Sequence, residues 1–164
     1  MEQTARVNAN KEFETFFRQY SGIGFKPLFC HGYSGGSKDY KKAKTPTIEG
    51  WTKTDYQAPT LRQCEDHIAK AGWIGWLIPE GVIVLDVEDT NSIGVLEAYL
   101  KAKNLHPPIH RSRNGKHYFF SGNGISGSSK EFTRLGISVT YRVGGKNYLI
   151  LAPCDERSWE VPLD

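Results

Sequence analysis

The sequence predicts an α+β domain with a mixed or antiparallel sheet. Segments of helical and strand periodicity interleave in the order α-β-α-β-β-α-β-β-β, without a strict βαβ repeat. The last two strand candidates are joined by the short Gly-Gly-Lys-Asn segment at 144–147, which favours an antiparallel hairpin. With 38% of its 164 residues hydrophobic, the chain can build a core without covalent staples.

Phe13, Phe16, Phe17 and Tyr20 fall at i, i+3, i+4 and i+7, so residues 10–20 read as an amphipathic helix with an aromatic core face. Ile23–Phe29 reads as a strand, and Pro27 assigns it to a sheet edge. A basic loop rich in Gly and Ser follows at 32–50, carrying Lys38, Lys41, Lys42 and Lys44. It is either a solvated surface or a mobile clamp for phosphates. Thr60 and Gln63 form a capping box ahead of a helix over Thr60–Ala71. Its inner stripe is Leu61, Cys64 and Ile68, and Gly72 is the stop signal. Two strands, Trp73–Ile78 and Val82–Val87, are hinged at Pro79–Gly81. A helix near Ser92–Lys103 ends at Asn104, with Pro107 and Pro108 behind it. Lys116–Ser121, Ile137–Val143 and Tyr148–Ala152 are the remaining strands.

The length fits one domain spanning 1–164, standing alone or cut from something larger. A net charge of +3 is compatible with a polyanionic partner without requiring one. There is no apolar run near the roughly 20 residues of a membrane span, and no apolar signal core in the first residues, so the expectation is an intracellular, cytoplasmic protein. Cys30, Cys64 and Cys154 are too few and too scattered for a disulfide framework. Cys64 and His67, with Cys30 and His31, are either a zinc set or idle buried thiols.

Three segments carry candidate chemistry. In Val82-Ile-Val-Leu-Asp-Val-Glu-Asp89, strand alternation puts Asp86 and Glu88 on one face, roughly 6–7 Å apart. Two carboxylates ending a buried strand need a divalent cation or cationic side chains beside them. In His110-Arg-Ser-Arg-Asn-Gly-Lys-His-Tyr-Phe-Phe120, a polar turn with Arg111, Arg113 and Lys116 leads into an aromatic strand at His117. His117 is either an anion ligand or a hydrogen-bonded surface histidine. The aromatic residues of that strand are either core or a base-stacking platform. In Ile137–Gly145 the face bearing Ser138, Thr140 and Arg142 is polar. Arg142 there either forks onto a phosphate or makes a surface ion pair.

Together these segments resemble the bifunctional DNA primase/polymerase N-terminal (prim-pol) family of the archaeo-eukaryotic primase superfamily. The first motif is an apolar strand ending in Asp-x-Asp or Asp-x-Glu, here VIVLDVED with Asp86 and Glu88. The second is a small residue, any residue, then His entering an aromatic strand, here GKHYFF with Gly115 and His117. The third is an acidic residue in a strand, often followed by an arginine, a Gly-rich turn and a strand ending in Ala-Pro; here VTYRVGGKNYLILAP supplies the arginine, the turn and Ala152–Pro153. The likeness covers roughly residues 20 to 155 and includes GFKPLF, KAKTP, GW and IGWLIPEG upstream.

The resemblance implies a small α/β module packed on an RRM-like palm. It also implies template-directed nucleotidyl transfer with Mg2+ or Mn2+. Carried over, Asp86 and Glu88 are the catalytic metal ligands, and His117 is the catalytic contact to the incoming triphosphate. Arg142 and Lys44 assist at the nucleotide. Lys41, Lys42, Arg111, Arg113 and Lys116 would touch the backbone of a single-stranded DNA template. Nucleoside triphosphates and a fused or separate helicase are the implied partners, in plasmid, phage or mobile-element replication; no membrane is involved. The sequence departs from the family at Thr140, where a third acidic ligand is expected. Glu131 and Asp155 are the candidate substitutes. That departure keeps open a rival reading, a weakened module that binds nucleotide or single-stranded DNA within a replication initiator or helicase protein. A third reading, an RRM-like RNA binder using Tyr118, Phe119 and Phe120, leaves Asp86 and Glu88 unexplained.

Overall fold

The computed structural model describes residues 2–36, 38–124, 128–132 and 134–164, with side chains described for 4–36, 38–124 and 134–164. In chain order its elements are α1 (Glu2–Gly22), β1 (Lys26–Cys30), α2 (Tyr40–Ala43), α3 (Leu61–Ala69), β2 (Trp73–Leu77), β3 (Val82–Val87) and α4 (Thr90–Ala102). Then follow β4 (Ile109–Arg111), β5 (Lys116–Ser121), β6 (Ser128–Phe132), β7 (Ser138–Val143), β8 (Tyr148–Ile150) and β9 (Ser158–Val161). The class is α+β, and every strand pair is antiparallel. The chain divides into two compact units, one of Met1–Pro79 with Tyr148–Cys154 and one of Glu80–Asn147 with Asp155–Asp164. Among the described residues no helix is long and apolar enough to cross a membrane.

In the first unit, β1-β2-β8 form a three-stranded sheet with β1 at its edge, where Pro27 costs no ladder bond. The aromatic stripe of α1 is core: Phe13 and Tyr20 are buried, and Tyr20 meets Trp76 edge-on at 4.9 Å. The Tyr20 hydroxyl donates to the Ala152 carbonyl at 2.8 Å. α1 begins well before residue 10, the first helical residue expected from the aromatic spacing.

Thr60 and Gln63 close the capping box of α3 reciprocally. Two expectations for this helix are corrected. Its inner face is Leu61, Cys64 and His67, while Ile68 is exposed. The left-handed stop is Ala71, at φ 62°, and not Gly72. Gly72 is required for space, since a Cβ there would lie 2.2 Å from His67 Nε2. His67 bonds the Cys30 carbonyl at 2.7 Å and stacks on Phe29, so its ring is committed to packing. Burial pushes the Cys30 and Cys64 thiols up to about 12, leaving them protonated and poor zinc ligands.

The basic loop folds locally: Asp39 caps the short α2, Lys41 and Lys42 are exposed, and Lys44 Nζ lies 4.5 Å over the Tyr40 ring.

The second unit is a six-stranded sheet in the order β6-β7-β3-β5-β4-β9. The expected hairpin between the strands flanking 144–147 does not form. β7 pairs β3 and β6 in this sheet, whereas β8 pairs β2 in the other. Asp89 caps α4 by accepting from the Ser92 amide at 2.7 Å, and Asn104 ends it in the left-handed region at φ 53°. The core against α4 consists of Val87, Leu96, Leu100, Tyr118, Ile137 and Val139. Three strands escaped the sequence reading, namely β4, β6 and β9, of three, five and four residues. None of the three carries an apolar run like those that marked the other strands: Ile109-His-Arg, Ser128-Ser-Lys-Glu-Phe and Ser158-Trp-Glu-Val are largely polar.

Candidate functional site

Directly opposed residues of an antiparallel pair share a face of the sheet. The ladders set Asp86 opposite Thr140 on β7 and opposite His117 on β5. His117 in turn faces His110 on β4, which faces Trp159 on β9. Thr140, Asp86, His117, His110 and Trp159 therefore form one row across five strands. The core cluster with α4 takes the alternate residues of these strands, so the row lies on the opposite face.

Asp86 is the centre of charge. His117 Nε2 lies 3.5 Å from its Oδ1, and Arg142 Nη2 lies 3.5 Å from its Oδ2. Arg142 is the register partner of Val84, two residues from Thr140, a diagonal position that a long side chain spans. Both distances exceed the roughly 2.7–2.9 Å of a tight charge-assisted bond. The Arg142 Nε is buried and makes no hydrogen bond among the described residues, while 35% of the side chain is exposed. A guanidinium with a buried, unused donor is suited to accept an anionic oxygen. Of the two alternatives for Arg142, the ion pair is present, and its partner is Asp86 rather than a surface carboxylate.

The small-x-His motif has a steric cause. Gly115 closes the β4–β5 hairpin, where the Ser112 amide donates to the Gly115 carbonyl at 2.9 Å. A Cβ on Gly115 would lie 2.0 Å from the Val87 carbonyl oxygen and 2.7 Å from Glu88 Cα. Only glycine lets the hairpin end lie against the end of β3, which is what sets His117 beside Asp86.

Glu88 is one residue past β3, exposed, and has no ion pair among the described residues. The backbone of β6 pairs Lys130 with Thr140 and Glu131 with Val139; the Glu131 side chain lies outside the described residues. Asp155 sits in a turn, its carboxylate 3.9 Å from Arg157 Nε. Among the described residues no group of three His, Cys, Asp or Glu side chains is arranged to hold a metal ion.

Not every expected residue joins the row. Arg111 and Lys116 are on the α4 side of the sheet, engaged with acids: Lys116 Nζ is 2.6 Å from Glu97 and 3.0 Å from Glu160, and Arg111 Nε is 3.0 Å from Glu160. Glu160, next to Trp159 on β9, alternates to this same side, at a register shift in the ladder. Arg113 is exposed in the hairpin turn. Lys41, Lys42 and Lys44 belong to the first unit. Tyr118 donates its hydroxyl to Glu97 at 2.9 Å and, like Phe119, is buried, so these two rings are core.

No family model matches this sequence. Over 90 residues it is 37% identical to the uncharacterized protein YdiM of Bacillus subtilis (strain 168), a stretch covering 54% of this chain and 68% of that protein. The chain belongs to the family of YdiM.

Two residues of the row were not singled out in the sequence. His110 is wholly buried beside His117, and Trp159 meets it edge-on at 4.8 Å. The observed register sets Ser112 opposite Gly115 and centres the turn on Arg113–Asn114; an Asn-Gly hairpin centred on 114–115 would have set His110 opposite Phe119, so the sequence did not mark His110 as the partner of His117. Trp159 carried no signal either, because β9 is paired only through tertiary structure.

Proposed function

We propose that this chain is a primase–polymerase domain of the archaeo-eukaryotic type, binding a nucleoside triphosphate at Asp86, His117 and Arg142 and transferring its nucleotidyl group during DNA replication. The observation that carries the reading is the register of β3. Three motifs from separate parts of the chain converge on Asp86, with His117 on one side, Thr140 on the other and Arg142 at 3.5 Å. An antiparallel sheet with one helical face and one polar row also accords with an RRM-like palm, the core of the primase fold.

Two carboxylates at the end of one strand are a donor type that suits one divalent cation. Asp86 and Glu88 would hold Mg2+ or Mn2+, leaving its other positions to water and phosphate oxygens. When bound, it would neutralise phosphate charge and acidify the attacking hydroxyl. The protein's own groups orient the triphosphate. His117 would donate from Nε2, and the half-exposed Arg142 guanidinium would donate to the phosphates. A primer 3′-hydroxyl, or that of an initiating nucleotide, attacks the α-phosphorus in line, and pyrophosphate departs. Lys41 and Lys42 in the first unit and Arg113 in the second are exposed and would each touch a single-stranded DNA backbone; Arg111 and Lys116 would first have to leave the acids they pair with. Lys44, in the first unit, lies over the Tyr40 ring and is not part of the proposed nucleotide site. A replicative helicase, fused or separate, is the expected partner, in the cytoplasm.

One observation favours a second reading. Thr140 occupies the third ligand position, and Arg142 already balances Asp86. A module so arranged binds nucleotide or single-stranded DNA with little or no synthesis. Primer extension with labelled dNTPs and Mn2+ separates the two. Synthesis that Asp86→Ala abolishes supports the polymerase. Silence in this chain with synthesis in Thr140→Asp supports the binding module. Activity unchanged in both Asp86→Ala and Glu88→Ala would sink the site itself.

A further inference from the structure

His110 has no part in the chemistry above, yet it is 0% exposed and meets His117 directly. The two Nδ1 atoms are 3.2 Å apart and the ring planes differ by 9°, with centroids 5.4 Å apart. The rings therefore meet nearly edge to edge, and a contact of this kind needs one hydrogen between the nitrogens.

Two arrangements exist for neutral rings. If His117 donates from Nδ1, its Nε2 carries only a lone pair, facing Asp86 Oδ1 at 3.5 Å. Two acceptors would then oppose each other in a largely buried setting. If His110 donates, the hydrogen of His117 is on Nε2 and is directed at the carboxylate. The second arrangement removes the conflict.

The groups facing His110 include His117 from β5, Trp159 from β9 and the Arg157 charge just ahead of β9. Burial, then repulsion from His117 whenever that ring is protonated and from Arg157, lower its pKa to about 2, so it holds a single ring hydrogen at neutral pH. Trp159 packs edge-on against it and limits its rotation.

We infer that His110 is a positioning residue: by donating from Nδ1 it holds His117 as the Nε2–H tautomer, with that hydrogen presented on the Asp86 side to an incoming phosphate oxygen. The phosphate rests on the reading proposed above; the tautomer does not. An orienting partner on the far nitrogen of a working histidine is a general device.

Long-range 1H–15N correlation spectra of the full chain, labelled on histidine and free of ligand at neutral pH, read the tautomers. The expected pattern is hydrogen on Nε2 of His117 and on Nδ1 of His110. His110→Phe should lose the pattern, the two His117 nitrogen signals moving together as tautomers exchange. His110→Asn, whose amide donates from a similar place, should keep it. Affinity for inorganic triphosphate with Mg2+ should fall about 10-fold in His110→Phe, the worth of one hydrogen bond, and return in His110→Asn. A wild-type His117 protonated on Nδ1, or averaged between tautomers, overturns the inference without recourse to any variant. The fixed pattern without triphosphate affinity upholds it and overturns the nucleotide reading instead.

Discussion

Thr140 lies directly across the β3–β7 ladder from Asp86. Opposed side chains on an antiparallel pair have Cβ atoms about 4.5–5.5 Å apart, within reach of a shared cation. Thr140→Asp should therefore act in opposite directions with and without metal. Without metal, two like charges face each other and Tm should fall, by the equivalent of about 0.5–1 kcal/mol. Millimolar Mn2+ should restore it, and calorimetric Mn2+ affinity should exceed that of the parent chain. A variant whose Tm ignores Mn2+ would show that the row is not a metal site.

Arg142 shares Asp86 with His117 while keeping a buried Nε unused. Arg142→Ala should weaken triphosphate binding by about 10-fold or more, the range of a charge-assisted bond. Arg142→Lys should recover only part, lacking the planar fork. Equilibrium titrations at two salt concentrations provide the check, and equal affinity in all three chains would remove Arg142 from the site.

The same substitution should have opposite signs at two glycines. Gly115→Ala drives a methyl into the Val87 carbonyl and should cost about 1–3 kcal/mol, along with the placement of His117. Gly94→Ala, exposed on α4 with nothing within 4 Å, should gain about 0.5–1 kcal/mol of helix stability. Chemical denaturation of both variants tests the pair.

Acid stability should fall in two stages. His110 is buried with its pKa lowered from 6.5 to about 2 by burial, then by repulsion from His117 whenever that ring is protonated and from Arg157. Its contribution is complete above pH 6.5 and is lost as the unfolded chain gains a proton that the folded chain refuses, between 6.5 and about 2. Glu160 is held below its ordinary 4.5, first by the Lys116 hydrogen bond, so its contribution is lost only below that value. Melting temperatures across pH 3–8 should show the upper stage missing in His110→Phe and the lower one flattened in Glu160→Gln.

At the alkaline end the sign reverses. Burial alone would lower the Lys116 pKa, but its hydrogen bonds and charge pairing with Glu97 and Glu160 outweigh this and raise it above 10.5. The stability it confers is complete below 10.5 and disappears as pH rises through the folded value. Lys116→Met should flatten that limb in a melting series above pH 9.5.

Much of this molecule was legible because its signals are local. The aromatic face of α1, the Thr60–Gln63 capping box, the Asn104 stop and the edge placement of β1 each follow from a few neighbouring residues. A continuous apolar run after the Pro79–Gly81 hinge located β3 to the residue, and with it Asp86. Sequence by itself thus determined the α+β class and the three segments that carry polar chemistry. Pairing was decided only in three dimensions. A turn at 144–147 looks like a hairpin from within, yet β7 and β8 find different sheets, because the partners that bury their apolar faces are β3 and β2. Likewise, nothing in residues 109–111 or 158–161 announces a strand. Their ladder bonds come from β5 and from each other, and those bonds are what set His110 and Trp159 beside His117. Side-chain type is a property of the chain, whereas register is a property of hydrogen bonds between segments far apart in it; here register turns a histidine and an aspartate into neighbours.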